Sequence, residues 1–422
     1  MREGIAKPIF VPQLYGDYRG WDAPSDPADA WRCCEARFIA DSYPERRPGS
    51  GSTASELEHL GAHVPRLVHD VLALAFERGY SDVHFELRSD LSIRVRQDGL
   101  LREFARVPRP LGDLITGRLK VLTRQPLDVG HQPADATLVF ADASGRPAYG
   151  RVSLVHLVDG EKIVLRLLTR SFAPDLEHLG LSEAAITCYR DMLQKPGLIL
   201  IAGPAGSGKT TTLYATLASL ANGCINIISI ENPVEQVLPG VTQVEIDRRR
   251  GLTFETALVG AVRQDPDVIA IGEIRDAESA EVAARAALTG RLVLASIHAH
   301  DAVGAAYRLV EFGVPAAIVA GAINGAMAQR LVRLTCPECA GLGCGSCEES
   351  GYRGRTGLFE VVPFLPKISR ALGDGVSLEG MRLIRYGLGH PGLTHAAAEL
   401  VSRNITSQAE SDRVLAGSVI AI

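Results

Sequence analysis

Apolar and polar positions along the chain fall into two regimes. In VPRLVHDVLALAFERG (64–79) the apolar residues stand at 64, 67, 68, 71, 72 and 75, the spacing of one helical face. LSIRVRQDGLLREF (91–104) alternates instead, and its central Asp-Gly predicts a hairpin turn. A helix is predicted over 111–124, then two strands, AYGRVSLVHL (148–157) and EKIVLRLLT (161–169), joined by Val-Asp-Gly. Together these make a small α+β module. Beyond a connector, SFAPDLEHLGLS (171–182), the pattern changes. LILIA (198–202), INIISI (225–230), DVIAI (267–271) and RLVLASI (291–297) are short, continuous apolar runs with helical stretches between them. Such runs predict an α/β fold built on a parallel sheet covered on both faces. Residues 356–422 read as mostly helical, closing on the apolar VLAGSVIAI (414–422).

The start of the chain follows neither regime. DAPSDPADA (22–30) and YPERRPGSGSTAS (43–55) have linker composition, and WRCCEARFIA (31–40) between them predicts a short amphipathic helix. The adjacent Cys33 and Cys34 read as structurally neutral. The organisation expected is a poorly ordered segment 1–62, a small domain 63–170, a linker 171–185, a sheet domain 186–335, a cysteine knuckle 336–350 and a helical region 351–422.

Composition narrows the function classes. Of 422 residues 46% are hydrophobic and 22% charged, which excludes wholesale disorder. The net charge of -5 excludes a basic nucleic-acid coat, and no nucleic-acid partner is expected. No apolar run approaches the roughly 18–20 residues of a membrane span, and the first residues carry no signal-like apolar core. A cytoplasmic location is expected, at most peripheral to a membrane. Only six of the 44 basic residues are Lys, so each Lys is worth inspecting.

One of them completes a phosphate-binding pattern. Gly203-Pro204-Ala205-Gly206-Ser207-Gly208-Lys209-Thr210 fits G-x-x-x-x-G-K-[ST], and it lies between the run LILIA and the helical TTTLYATLASL. Glycines let backbone N–H groups turn inward around phosphate oxygens, and the following helix presents its positive end to them. Lys209 is placed to reach the β- and γ-phosphates of ATP, and Thr210 to hold Mg²⁺. In parallel sheets ligands bind beyond the carboxyl ends of the strands. There the other runs end at Glu231, at Gly272-Glu273 and at His298. Two carboxylates and an imidazole around one nucleotide form a phosphoryl-transfer constellation.

These residues carry a resemblance. GPAGSGKTTTLYATL is similar to the Walker A box of the GspE/PilB family, the ATPases of type II secretion and type IV pilus assembly. SIENPVEQVLPGVTQVEI (229–246) resembles that family's Asp box, RQDPDVIAIGEIRDAESA (263–280) its Walker B box and TGRLVLASIHAHDA (289–302) its His box. SDVHFE (81–86), RVRQDGLLRE (94–103) and GEKIVLRLL (160–168) resemble its N2 domain. AQRLVRLTCPEC (328–339) and GYRGRTGLFEV (351–361) resemble the region around its metal knuckle.

The resemblance covers about 63 to 422. It implies a RecA-like motor domain after a PAS-like N2 domain, assembled as a homo-hexamer that acts on an inner-membrane platform protein. Over residues 203–211 it implies nucleotide binding, including Thr211. It implies Glu231 as the residue that orients or deprotonates water, Glu273 acting through Mg²⁺ or its water, and His298 as γ-phosphate sensor. Arg151 and Arg166 match arginines that in the family reach the phosphates when the N2 domain closes.

Four positions depart from the family pattern. Asn232 stands for an Asp, Arg291 for a His and Ala205 for a Thr, while Thr137, in Ala134–Leu138, stands where an Arg is usual. A second reading follows, a nucleotide-binding structural or regulatory ring subunit with little hydrolysis. A third, a DNA-conjugation ATPase, is disfavoured by the acidity and by the lack of a basic stripe.

Cys336-x₂-Cys339-x₄-Cys344-x₂-Cys347 makes two C-x-x-C knuckles. In a reducing compartment such clustering points to metal, and four thiolates suit tetrahedral Zn²⁺ in a closed structural site. An iron–sulfur cluster and free thiols are the alternatives. The resemblance favours Zn²⁺, and an assembly ATPase over a retraction one.

Overall fold

The computed structural model describes residues 54–125, 134–168, 175–247 and 250–416, with side chains from 63 onward. The chain divides into two compact units between Arg170 and Ser171. Cys33, Cys34, the helix expected over 31–40 and the end of the last apolar segment lie outside the described residues.

The first unit runs α1 (Ala54–Glu77), β1 (Asp82–Leu87), β2 (Asp90–Gln97), β3 (Leu100–Pro108), α2 (Arg109–Leu122), β4 (Ala134–Ala141), β5 (Pro147–His156) and β6 (Glu161–Leu168). Its six strands lie in the order β3-β2-β1-β6-β5-β4, and every pairing is antiparallel. Strand alternation sends Val83, Phe85, Ile163 and Leu165 to one face, where they join Val68 and Leu72 of α1 and Ile115 and Leu119 of α2 in one core. The opposite face is polar. At the β2–β3 turn Asp98 (φ +48°) and Gly99 (φ +87°) are both left-handed, the form that matches strand twist in a two-residue hairpin.

Two features of this unit differ from the sequence reading. Helix α1 begins at Ala54, so the boundary placed at 62 falls inside a helix. ASELEHLGAH is sparse in apolar residues and gives periodicity little to register. Strand β1 is short and polar on one side, and the first half of β4, ADAT, carries no large apolar residue, so neither stands out as a run.

The second unit begins with a short 3₁₀ turn (Leu176–His178) and α3 (Glu183–Leu193). Then follow β7 (Gly197–Ala202), α4 (Lys209–Leu220), β8 (Ile227–Glu231), β9 (Thr242–Glu245), α5 (Phe254–Val262), β10 (Val268–Ile274), α6 (Ala277–Leu288), β11 (Leu292–Ile297), α7 (Ala302–Glu311) and α8 (Ala316–Ala322). The chain ends with β12 (Ile323–Thr335), β13 (Tyr352–Pro363), α9 (Pro366–Gly373), α10 (Leu378–Gly387), α11 (Leu393–Ser402) and α12 (Gln408–Leu415).

The sheet order is β13-β12-β7-β11-β10-β8-β9. All neighbours are parallel except β12 and β13. Alternate residues of one strand enter opposite cores. Leu198 and Leu200 pack with α6 and α7, while Ile199 and Ile201 pack with Tyr189 of α3 and Leu213 of α4. This double burial is why the strands read as unbroken apolar runs.

The parallel sheet thus carries one antiparallel edge strand. Residues 352–363, placed by pattern in a helical region, are that strand, and helices begin only at Pro366. YRGRTGLFEVVP alternates through polar residues on its outer half, which hid it beside the central runs. The linker placed at 171–185 likewise yields to α3 at Glu183, whose N-cap Ser182 accepts from Ala185 N–H.

The C-terminal helices are tied down by charge. Glu410 of α12 is buried and accepts from Arg333 of β12, through the guanidinium (3.0 and 2.8 Å) and the backbone N–H (3.1 Å), and from Arg413. Burial raises its pKa, but the hydrogen bonds from Arg413 and Arg333 outweigh burial, so the pKa falls below the ordinary carboxylate value. A depressed carboxylate stabilises the fold above its unfolded pKa and loses that contribution as pH falls through the folded one. Glu410→Ala, which strips the acceptor from two guanidinium groups, is expected to cost the second unit about 3–5 kcal/mol at neutral pH. The deficit should shrink below about pH 4. Urea unfolding of wild type and variant at both pH values checks this, and a deficit independent of pH would contradict it.

Candidate nucleotide site

The phosphate loop hangs from β7, which is buried along its whole length. It turns back over Gly203–Gly208 into α4. Gly206 (φ +73°) and Gly208 (φ +90°) are left-handed, and a Cβ on Gly208 would press on Gln329 Nε2 at 3.1 Å. Only glycine meets both demands at 208. Pro204, Ala205 and Gly206 form the exposed tip. Lys209 is 9% exposed, and its Nζ donates to the carbonyls of Gly203 (2.8 Å) and Pro204 (3.0 Å). Burial pulls its pKa below the ordinary lysine value, against the nearby charge of Glu273. The Ser207 hydroxyl is buried without a hydrogen-bond partner. An ammonium, an unpartnered hydroxyl and the N-terminal end of α4 therefore face one small loop, which is the donor set for a phosphate. Thr210 is half-buried and Thr211 exposed in the first turn of α4.

The strand ends bring the other residues in. Glu231, the last residue of β8, is 3% exposed. Its Oε1 accepts from the Ser229 hydroxyl (2.6 Å) and from Gln243 Nε2 (3.0 Å), and its Oε2 accepts from the Tyr214 hydroxyl of α4. Tyr214 in turn accepts from the backbone N–H of Glu235 at 3.0 Å. Burial, and then Glu231 itself, push the Tyr214 pKa well up, so the phenol holds its proton. Glu231 is therefore gripped by three neutral donors. Glu273 stands among cations instead. Its Oε1 meets His298 Nε2 and its Oε2 takes the Arg275 guanidinium. His298 follows β11 and is half exposed. Lys209, Glu273 and His298 thus share one neighbourhood.

Several residues of this site lie inside the matched boxes but were given no role by them. Gln329 of β12 is buried, and its Nε2 donates to the Ser207 carbonyl at 2.7 Å. The next residue, Arg330, donates to the carbonyls of Gln329 and His300, both at 3.0 Å, and burial lowers its pKa. Tyr214, Ser229, Gln243 and Arg275 complete the surroundings. The usable signal was a polar Gln-Arg pair inside the otherwise apolar stretch GAMAQRLV.

Arg151 and Arg166 belong to the first unit. The register sets them directly opposite each other on β5 and β6, between Thr137 on β4 and Asp82 on β1. Arg166 donates to Asp82 Oδ1 at 2.9 Å, and Arg96 lies 3.6 Å from the other oxygen of the same carboxylate. Three guanidinium groups thus share one row across the sheet with the buried Asp82 carboxylate, and two of them, Arg166 and Arg96, meet it.

The four cysteines converge. Their sulfur atoms all lie within 4.8 Å of one another, with pairs at 3.7, 3.8 and 3.9 Å. A tetrahedron with Zn–S bonds of about 2.3 Å has edges of about 3.8 Å. Backbone N–H groups of Gly343, Cys344 and Gly351 point at Cys339 and Cys347 sulfur from 3.2–3.3 Å. These donors suit thiolate ligands. The cluster is compatible with zinc, and no other group of metal-ligating geometry occurs among the described residues. No helix among them is long and apolar enough to cross a membrane.

The chain is similar to known proteins in sequence and in fold. Residues 58–413 match the family model described as Type II/IV secretion system protein. Type II secretion system protein E of Pseudomonas aeruginosa is 39% identical over 331 residues, which are 72% of this chain and 66% of that protein. HxcR, a type II secretion system protein of the same organism, is 39% identical over 76% of this chain and 71% of its own length. The type IV pilus assembly ATPase PilB of Myxococcus xanthus is 36% identical over 78% of this chain and 64% of its own length. The chain therefore spans about two thirds of the length of these relatives. Among solved structures, the pilus retraction motor PilT with bound ADP is 25% identical with a TM-score of 0.59, covering 81% of this chain and 95% of PilT. The Legionella pneumophila ATPase DotB matches in fold, with a TM-score of 0.62 over 89% of this chain and 98% of its own. A phosphate loop, the carboxylates and histidine at the neighbouring strand ends and the cysteine knuckle are here set in that shared fold, and the chain belongs to the family of type II/IV secretion system proteins.

Proposed function

We propose that the chain is a motor ATPase, cytoplasmic and peripheral to the inner membrane. It assembles as a homo-hexamer and couples ATP hydrolysis to assembly of a type IV pilus or a type II secretion pseudopilus, acting on an inner-membrane platform protein. The observation that carries this reading is the buried Lys209 ammonium in a formed phosphate loop, with the Glu273–His298 pair beside it.

On this reading Lys209 leaves the two loop carbonyls for phosphate oxygens, and backbone N–H groups of 205–211 hold the rest of the triphosphate. Thr210 is the residue that holds Mg²⁺, which when bound neutralises charge on the β- and γ-phosphates. Glu273 would act through that ion or its bound water, and His298, already on Glu273, reports the γ-phosphate. Glu231 orients or deprotonates the attacking water once its hold on Tyr214, Ser229 and Gln243 loosens. Arg151 and Arg166 offer two exposed cations to transition-state charge. The four cysteines hold structural Zn²⁺.

A second reading, a nucleotide-binding structural or regulatory ring subunit with weak or partner-dependent hydrolysis, is favoured by one observation. Glu231 is buried and fully engaged by neutral donors, and Asn232 beside it lacks a carboxylate.

Steady-state hydrolysis separates the two. Wild type should turn over ATP, and Lys209→Ala should lose at least about 100-fold. Equal turnover in both would refute the motor. Glu231→Gln keeps the side chain's size and one acceptor oxygen without the base, and should lower kcat about 10²–10⁴-fold with ATP still bound. An unaltered kcat would assign Glu231 to structure alone. Protein purified without chelators should carry about one Zn²⁺ per chain by elemental analysis, and Cys344→Ser should lower both zinc and melting temperature. Iron in its place would replace the assignment.

A further inference from the structure

The segment that follows β11 is held residue by residue from four different directions. His298 meets Glu273 of β10. The His300 carbonyl accepts from Arg330 of β12 at 3.0 Å. The Asp301 carboxylate accepts from Arg382 of α10 through Nε (2.9 Å) and Nη2 (2.6 Å), while its other oxygen caps α7 at Gly304 N–H (2.6 Å). The Ala302 N–H donates to Glu360 of β13 at 3.2 Å, and Glu360 is itself paired with Arg385 of α10 at 2.6 Å. Glu360 is buried, and burial raises its pKa against the pull of Arg385. Two of the four anchors therefore run to one helix, α10, whose Arg382 and Arg385 lie three residues apart on one face.

The same network reaches the phosphate loop. Arg330, which holds His300, also donates to the Gln329 carbonyl, and Gln329 donates to the Ser207 carbonyl at 2.7 Å. The charges of Glu360 and Asp301 both act on Arg330. An unbroken series of polar contacts therefore joins α10 to the loop bearing His298 and, through β12, to the loop bearing Lys209.

We infer that α10 is the positioning element of the His298 loop, with Arg382 setting that loop's place through Asp301 and Arg385 through Glu360. Neither arginine touches nucleotide in this assignment. Each fixes the backbone on which the γ-phosphate sensor stands, so the inference rests on the role proposed above for His298. Arg382 is the better probe. It is partly exposed, its two bonds to Asp301 need the planar guanidinium fork, and its removal leaves no buried charge without a partner, because Asp301 keeps its N-cap bond. Arg385 sits against a buried carboxylate, and its loss would confound folding with function.

The test is a double-mutant cycle on the full chain with His298→Ala, Arg382→Ala and both together, and with Arg382→Lys as the charge-only control. The readouts are kcat, KM, ADP affinity, the ratio of affinities for a non-hydrolysable ATP analogue and ADP, and melting temperature. Arg382→Ala should lower kcat about tenfold to a hundredfold, since misplacing a catalytic loop by an ångström costs that much. It should also bring the affinity ratio toward one, with ADP affinity and melting temperature close to wild type. Arg382→Lys should recover only part, and the double variant should be no slower than His298→Ala alone. Additive losses would overturn the inference, as would a fall in ADP affinity and melting temperature in step with kcat. An unaltered Arg382→Ala beside an impaired His298→Ala would overturn it while leaving the His298 role standing. An unaltered His298→Ala beside an impaired Arg382→Ala would remove that role, and the inference with it.

Discussion

A buried ammonium must have oxygen around it, and much of the second unit is arranged to meet that demand. Lys209 sits at the start of α4 with two loop carbonyls on its Nζ. Those carbonyls are in place because β7 is buried from end to end between β11 and β12, which fixes where the loop leaves the sheet. Burial weakens the ammonium's hold on its proton, and the charge of Glu273 works the other way. A phosphate entering the loop would give the same cation a stronger partner, an anionic acceptor in place of two neutral carbonyls. The loop is thus already shaped around the charge it is proposed to lend.

The two carboxylates beyond the neighbouring strands are held in opposite ways. Glu231 is inside the protein and receives three neutral hydrogen bonds, one from a phenol on the same helix that begins with Lys209. Glu273 is nearer the surface and receives an imidazole and a guanidinium. A carboxylate held by a tyrosine, a serine and a glutamine has three of its roughly four acceptor sites taken. A carboxylate already touching a histidine transmits any shift of that histidine at once. On the proposed roles, the first arrangement would delay hydrolysis until the site rearranges, and the second would tie the strand ends to whatever moves His298.

How much of this was legible in the sequence depended on distance along the chain. The phosphate loop is one contiguous stretch, and the apolar runs β7, β8, β10 and β11 announced a doubly covered sheet, so Lys209, Glu231, Glu273 and His298 fell out of position alone. The cysteine spacing likewise foretold a cluster whose sulfurs do meet. What stayed hidden is carried by partners far apart in sequence. Gln329 answers Ser207 across 122 positions, Arg382 answers Asp301 across 81, and Arg333 answers Glu410 across 77. No local pattern encodes such a pair. β12 and β13 were missed for a related reason. Their polar residues break the apolar run, and those residues are polar because they bond to distant elements. Helix α1 was cut short where its apolar face thins out.

Strand β12 shows what those distant pairs accomplish together. One part of it carries Gln329 and Arg330, bound to the phosphate loop and to the His298 segment. Further on, Arg333 locks Glu410, the Arg333 carbonyl accepts from Thr406 (2.7 Å), and Thr335 N–H donates to Ile405 (2.9 Å). The strand then runs directly into Cys336, whose N–H donates to Gly351 at the return to β13. A β-strand in a sheet resists stretching, so its two ends move as one body. A metal closing the four-cysteine cluster would pin the β12–β13 hairpin at its far end, and the C-terminal helices would be fixed relative to the phosphate loop by the same strand. On this argument the knuckle needs no chemistry of its own. Its work would be to keep rigid the strand that relates the phosphate loop to the C-terminal helices.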